Sequence, residues 1–415
     1  MRYRIEKDLL GQRQVPAEAY YGIETLRGKE NFEITKRGIC RQMIKALAIV
    51  KKAAAKANVD ALNIDEKVGK AIMLACDEIL NGRLHGQFVT DLIQGGAGTS
   101  MNMNANEVIA NRANELLGGK KGVYDFVHPN DHVNFGQSTN DVIQTAGKIA
   151  IVKQLKKLQV ELKKLYNAYL NKATEFKDVI KMGRTHLQEA LPLRLGQEFS
   201  AYASALNRDM KRIDVAIEAL LEVNMGATAI GTSLNANEKY RKKVIYYLNK
   251  FSGEQIKPAK DLIDATRNFD TFGQASSTLK LLALNLSKTA SDLRLMASSG
   301  SNGFSEITLP HVQPGSSIMP GKYNPVVPEM VNQVCFYVIG LDVTITKAIE
   351  AGQLELNVFG PIILMSLFEQ ITTLRRATRT FHNLAISGLI ANTTKYKTDN
   401  SIYLITALSP HLGHE

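Results

Sequence analysis

Five short segments concentrate the side chains that could do chemistry. The stretch 313–330, QPGSSIMPGKYNPVVPEM, sets Ser316, Ser317, Lys322 and Asn324 among four prolines. Pro320 and Pro325 bar both a helix and a central strand, so this is a loop or a chain of turns. Its apolar residues Ile318, Met319, Val326 and Val327 imply that parts of it pack, either as a rigid elbow or as a site-bearing loop. The segment 94–104, QGGAGTSMNMN, carries Thr99, and 132–141, HVNFGQSTND, carries Ser138, Thr139 and Asn140. In 181–198, KMGRTHLQEALPLRLGQE, Thr185, His186 and Gln188 fall between two expected helices. The fifth, 224–236, NMGATAIGTSLNA, is rich in small residues that allow close backbone approach. Together they supply six neutral hydroxyls, two amides, one histidine and one lysine, with little contribution from Asp or Glu. Such a lining suits a negatively charged substrate and can bind two carboxylates without a metal.

Each cluster also has a structural reading. The glycine turn 94–98 can be an anion cradle or a flexible turn with a Thr/Ser helix cap. Ser138, Thr139 and Asn140 can serve only as N-caps, and a lone histidine only as a structural group. Familiar chemistries lack their patterns. There is no phosphate-loop lysine, no strand–GxGxxG–helix context, no HExxH and no GxSxG elbow for a hydrolase. His128 and His132 are separated by Pro129, Asn130 and Asp131, which marks a turn.

The elements that must hold these loops are long helices. From 140 to about 173 there is no proline, and Leu155, Leu158, Leu162, Leu165 and Tyr169 step by three and four. That spacing predicts an amphipathic helix. Further helices are expected over 196–224, 265–297, 328–351 and 355–387, the last interrupted near Gly360 and Pro361. Residues 1–139 mix short helices with turns. Helices this long bury apolar stripes against one another, so the fold class is mainly α, a long-helix bundle. Several are apolar over more than one face, as at Ile362, Ile363, Leu364, Met365, Leu367 and Phe368. That predicts association between copies of the chain.

The 415 residues are 45% hydrophobic and 22% charged, an ordinary globular balance. The net charge of +11 draws in small anions, and the lysines are spread over helix faces. No nucleic-acid-binding pattern appears, so no nucleic acid is expected as a partner. No apolar run approaches the ~18 to 20 residues of a bilayer span, and the N-terminus lacks a secretory core, so a cytoplasmic protein without membrane contact is expected. Cys40, Cys76 and Cys335 are far apart and show no metal-binding spacing.

GSSIMPGKYNP resembles the signature loop of the aspartase/fumarase superfamily, GSSxMPxKxNP. QGGAGTSMNMNANEVIANRA, HVNFGQSTND, KMGRTHLQEALPLRLGQEF, NMGATAIGT and EAGQLELNV agree, so the resemblance runs from about Arg4 to the C-terminus. The opening 3–32, with NMGATAIGT and NPVVPEMVNQV, is more similar to aspartate ammonia-lyases than to fumarases. The resemblance implies a three-domain fold: 1–139 N-terminal, 140–388 the central bundle, and 389–415 the start of a small C-terminal helical domain. It also implies a homotetramer with each active site built from three chains. The implied reaction is reversible deamination of L-aspartate to fumarate and ammonia, with no cofactor or metal. Fumarate hydration, or an inactive binding homologue, is the alternative.

By the same resemblance, Ser316 is the base and Thr99, Ser138, Thr139 and Ser317 stabilise the developing aci-carboxylate. Thr185, Lys322 and Asn324 hold the α-carboxylate, and Asn140 and His186 bind the amino group. The chain departs from the family pattern at Ser301–Asn302, Tyr323, Leu341 and Gly360. At Gly360 a glycine inside a long helix is expected to cost ~1 kcal/mol.

Overall fold

The computed structural model describes residues 2–299 and 302–393. It is mainly helical. The helices are α1 (Ile23–Asn31), α2 (Arg41–Asp60), α3 (Glu66–Leu80), α4 (Thr99–Leu116), α5 (Thr139–Glu175), α6 (Leu195–Leu220), α7 (Glu238–Ser252), α8 (Leu262–Arg267), α9 (Asp270–Met296), α10 (Val326–Glu350) and α11 (Gly360–Phe381). Strands are short and pair two at a time. β1 (Tyr3–Asp8) with β2 (Gly11–Pro16), and β3 (Ile180–Thr185) with β4 (Gln188–Arg194), form antiparallel hairpins. β5 (Glu222–Val223) pairs in parallel with β6 (Lys257–Pro258), and β7 (Ile307–Thr308) pairs antiparallel with β8 (Ile390–Ala391).

The chain divides into two compact units. The first comprises Met1–Leu155, Val215–Ser276 and Leu341–Glu369; the second comprises Lys156–Asp214, Ser277–Gly340 and Gln370–Glu415. In the first, α2 packs against α3 and α7, and α3 against α4. Ala dominates the α2 face that does this: Ala46, Leu47, Val50, Ala53, Ala54 and Ala57 are buried. Small side chains let helix backbones approach closely. In the second unit the leucine ladders lie inward as their spacing predicts. Leu158, Leu162, Leu165 and Tyr169 of α5 are buried, as are Leu279, Leu282, Leu286 and Leu293 of α9.

Four details differ from the sequence expectation. The stretch 265–297 is two helices, because the α8 chain ends at Asn268 in extended backbone (ψ 133°) before α9 begins. The segment 181–194 is a β-hairpin rather than an inter-helix loop. Gly360 is the first residue of α11 rather than an interior one, so the expected helix-interior penalty does not arise; Pro361 sits in the first turn, where its missing N–H costs nothing. The turn before it closes through the buried Asn357, which donates to the carbonyls of Ala348 and Ile349 and so caps α10.

The fourth difference concerns membrane-length helices. Among the described residues one helix, α10, is long and apolar enough by length and composition to cross a membrane, with a mean hydropathy of 1.3 over its best window. Phe336, Tyr337 and Val343 leave part of that helix's apolar surface exposed.

The expected C-terminal domain start, 389–415, lies outside the described residues from 394 onward, as does Ser301. Ile390–Ala391 and Asn392 are described. They close on the chain ahead of the Ser316 loop: Asn392 N–H donates to the Glu306 carbonyl (2.9 Å), its Nδ2 to the Ser305 carbonyl (3.0 Å), and its Oδ1 accepts from Thr308 (2.9 Å).

Candidate active site

Four of the ten residues singled out by sequence lie in the first unit and six in the second. In the first unit, Gly96, Ala97 and Gly98 all have positive φ (79°, 58° and 95°). The chain thereby turns sharply into α4, whose first residue is Thr99. Glycine is needed at 98 for a second reason: a Cβ there would stand 3.1 Å from Ile143 Cγ1. Thr99 is exposed, and its hydroxyl donates to the Gly96 carbonyl at 2.6 Å. It therefore stands at a helix N-terminus whose first N–H groups have no intrahelical partner, a setting that favours negative charge.

Ser138 caps the start of α5 reciprocally. Its Oγ accepts from Asn140 N–H (3.2 Å), while Asp141 Oδ1 accepts from Ser138 N–H (3.0 Å). The cap reading of this cluster is therefore real, and it leaves the Thr139 hydroxyl and the Asn140 amide differently employed. Asn102 of α4 donates to Thr139 Oγ1 (3.3 Å), which ties the two helix N-termini together. Asn140 Nδ2 donates to the Ala229 carbonyl (2.6 Å), which brings the small-residue segment 224–236 alongside. Ser138, Thr139, Thr228 and Ala229 line one cavity of about 770 Å³.

Behind this surface lies a polar layer that sequence reasoning missed. Asp141 is fully buried, and its Oδ2 accepts from Gly226 N–H (3.1 Å) and Thr228 N–H (3.0 Å). One carboxylate thus staples the Ser138 turn to the 226–228 turn. Burial pushes it up to about 6, against the pull of its three amide donors. Lys51 of α2 is also fully buried, and burial pushes its amine down to about 7. Its Nζ donates to Asn134 Oδ1 and Gln137 Oε1, each at 2.9 Å. A signal for Lys51 existed: it lies in phase with Leu47 and Ala54–Ala55, three and four residues away on the core face of α2. The run KKAAAK nevertheless looks like a solvated face. For Asp141 the signal was the S-x-x-D capping pattern.

In the second unit, Thr185 and His186 sit at the tip of the β3–β4 hairpin and are exposed. The two turn residues, His186 and Leu187, both have positive φ (55° and 62°). A two-residue turn needs that handedness to match the strand twist, but Asn and Gly usually supply it. Holding histidine and leucine there costs ~1–2 kcal/mol per residue, a strain of the kind that collects at functional positions. The hairpin base is held by charge: Lys181 Nζ lies 2.6 Å from Glu306 Oε2 and 3.1 Å from both Glu198 oxygens, and Arg184 pairs with the other Glu306 oxygen. The same Glu306 roots the chain that leads to the Ser316 loop.

That loop closes on itself. Gly315 N–H donates to the Lys322 carbonyl (3.1 Å), and Asn324 Nδ2 donates to the Gly315 carbonyl (2.8 Å). Only glycine fits at 315, since a Cβ would come within 2.2 Å of the Lys322 carbonyl oxygen. Tyr323, unusual for the family pattern, stacks on His311 with ring centroids 3.7 Å apart. Ser316 is half-buried, and its Oγ accepts from Ile318 N–H at 3.3 Å; Ser317 and Lys322 are exposed. Asn324 is thus committed to the loop itself through its Nδ2, while the Ser317 hydroxyl and the Lys322 amine remain exposed. Among the described residues no group of three or more His, Cys, Asp or Glu side chains is placed to hold a metal.

Comparison with known proteins is consistent with this geometry. The Lyase family model matches residues 11–340. The chain is 54% identical to aspartate ammonia-lyase of Bacillus subtilis (strain 168), over 100% of this chain and 87% of that one. Among solved structures, the cobalt-bound fumarate lyase:delta crystallin of Brucella melitensis is 47% identical, with a TM-score of 0.97, over 100% of this chain and 91% of that one. The recombinant class II fumarase of Schistosoma mansoni is 36% identical with a TM-score of 0.97, covering 100% and 90%. A family model spanning most of the chain, and relatives this similar over their near-full length, make it a member of the aspartase/fumarase superfamily of lyases.

Proposed function

We propose that this chain catalyses the reversible deamination of L-aspartate to fumarate and ammonia. Two surfaces, one in each unit, carry the reading. One is a cluster of neutral hydroxyls at two helix N-termini (Thr99, Ser138, Thr139). The other is a self-closed loop presenting Ser316, Ser317 and Lys322. A substrate with two carboxylates matches both, and relatives about 50% identical carry the name aspartate ammonia-lyase.

The hydrogen to be removed lies next to the β-carboxylate and is weakly acidic. Its loss places a second negative charge on that carboxylate. Thr99, Ser138, Thr139 and Ser317 donate to this charge as it grows, and so stabilise the transition state more than the substrate. Ser316 takes the proton as an alkoxide, its own hydroxyl proton having first passed to solvent, and it ends the step as a neutral hydroxyl. Its oxygen already accepts the Ile318 N–H, a bond that is strongest while the oxygen is negative. Thr185 and Lys322 hold the α-carboxylate, together with the one Asn324 Nδ2 hydrogen not donated to Gly315, and Asn140 and His186 bind the departing amine. One site draws these segments from three copies of a cytoplasmic homotetramer, in which the exposed apolar surface of α10 packs against another copy.

Fumarate hydration is the second reading, favoured by the likeness to a class II fumarase. The test is a paired assay of the purified chain with L-aspartate and with L-malate, following fumarate. Deamination predicts fumarate and an equal amount of ammonia from aspartate. Fumarate from malate alone overturns it.

A further inference from the structure

A second cavity, of about 510 Å³, lies between α7 and the segment 258–262. Three cations line it: Arg241, Lys242 and Lys260. Glu238, a carboxylate that also lines the cavity, pairs with Lys242 at 2.6 Å. Arg241 keeps a buried Nε–H with no acceptor among the described residues, and Lys260 is exposed. That Nε–H is out of solvent contact, so an occupant meets Arg241 through the guanidinium's other N–H groups. The rest of the wall is apolar, from Ile245, Pro258 and Leu262. The cavity is far larger than an inorganic anion and within the range of small-molecule sites.

We propose that this cavity binds an organic phosphate of nucleoside monophosphate size, with the phosphate on Arg241 and Lys260 and the flat body on the apolar wall. Guanidinium favours phosphate because its fork matches two oxygens at once.

The cavity is wired to the hydroxyl cluster within the same unit. The Arg241 stem lies against Gly226, where a Cβ would stand 3.0 Å from its Cγ, and its Nη1 donates to Ser233 Oγ at 3.3 Å. Gly226 N–H is one of the three donors to Asp141, and Ala229 holds Asn140. An occupant that draws Arg241 outward pulls on the segment that fixes both. Occupancy therefore changes KM for aspartate. That kinetic effect rests on the proposed function, whereas binding does not.

The experiment is a calorimetric titration of the purified chain with adenosine monophosphate, beside arms with inorganic phosphate and with adenosine. Saturable binding of the nucleotide is expected, tighter than either fragment. Arg241→Gln and Lys260→Glu should each weaken it at least tenfold. Lys260→Glu, an exposed change, should leave folding and nucleotide-free turnover intact. No saturable binding to the parent chain, equal binding to Lys260→Glu and parent, or full displacement of the nucleotide by succinate overturns the proposal. Binding without any effect on KM leaves the site standing and removes only its link to Asn140.

Discussion

Replacing Asp141 by asparagine isolates the buried staple behind the hydroxyl cluster. The carboxylate accepts three N–H groups, one on Oδ1 from Ser138 and two on Oδ2 from Gly226 and Thr228. An amide has one oxygen. Its better orientation sets that oxygen toward Gly226 and Thr228 and leaves the Ser138 N–H facing an NH₂ group. One buried donor left unpaired costs about 1–3 kcal/mol. Asparagine should therefore lower stability by about that amount, and alanine, which abandons all three donors, by about 3 kcal/mol or more. The lost partner belongs to Ser138, which in the proposed reaction stabilises the transition state, so the damage falls on turnover. If the same 1–3 kcal/mol is lost there, kcat/KM falls roughly 5- to 150-fold. Urea unfolding measures the first quantity and initial rates of fumarate release over a range of aspartate the second. An asparagine variant with an unchanged urea midpoint and an unchanged kcat/KM would refute the staple.

Other perturbations test separate parts of the site. Gly315→Ala forces a Cβ to 2.2 Å from the Lys322 carbonyl, so it should cut kcat/KM at least tenfold while α-helical content by circular dichroism stays constant. Leu187→Gly removes an unfavourable positive φ and should stabilise by up to ~1 kcal/mol, read as a rise in Tm of a few degrees; a fall would show that the Leu187 side chain, not the turn, sets the hairpin. Lys322→Ala should raise KM strongly in the steady-state assay, because a substrate carboxylate loses its charged partner. Lys51 is depressed by burial to about 7 from an ordinary 10.5. Its contribution to stability is thus present above the unfolded value and lost as pH falls through about 7. Relative to Lys51→Met, the parent chain should gain stability between pH 7 and 10, as followed by urea unfolding at several pH values; parallel curves would contradict a depressed amine.

The long helices were legible because a single period governs them. Leu155 to Tyr169 repeat the 3.6-residue spacing without a breaker, and burial follows the spacing residue for residue. The β3–β4 hairpin was not legible. Its turn is His186–Leu187, which carries none of the Asn-Gly chemistry that marks such turns, and Pro192 obscures its second strand. The break between α8 and α9 was hidden for a similar reason: Asn268 and Phe269 bear no proline or glycine. Ser316, Ser317 and Lys322 announced themselves through proline-rich loop chemistry, whereas Lys51 and Asp141 did not. A buried ionisable group is defined by what surrounds it, and the partners of Lys51 lie more than eighty residues away. Local sequence marked Thr185 and His186 only as polar residues between two expected helices, and their roles came from the family pattern alone.

In the proposed reaction Ser316 is the group that takes hydrogen from carbon. The direct measurement is Ser316→Ala, tested for binding of succinate by calorimetry and for fumarate release from aspartate in the same preparation. Succinate should bind within a fewfold of the parent chain while turnover falls by a thousandfold or more. Turnover that persists within tenfold of the parent would assign proton removal to another group, and succinate binding lost together with turnover would make Ser316 a binding residue instead.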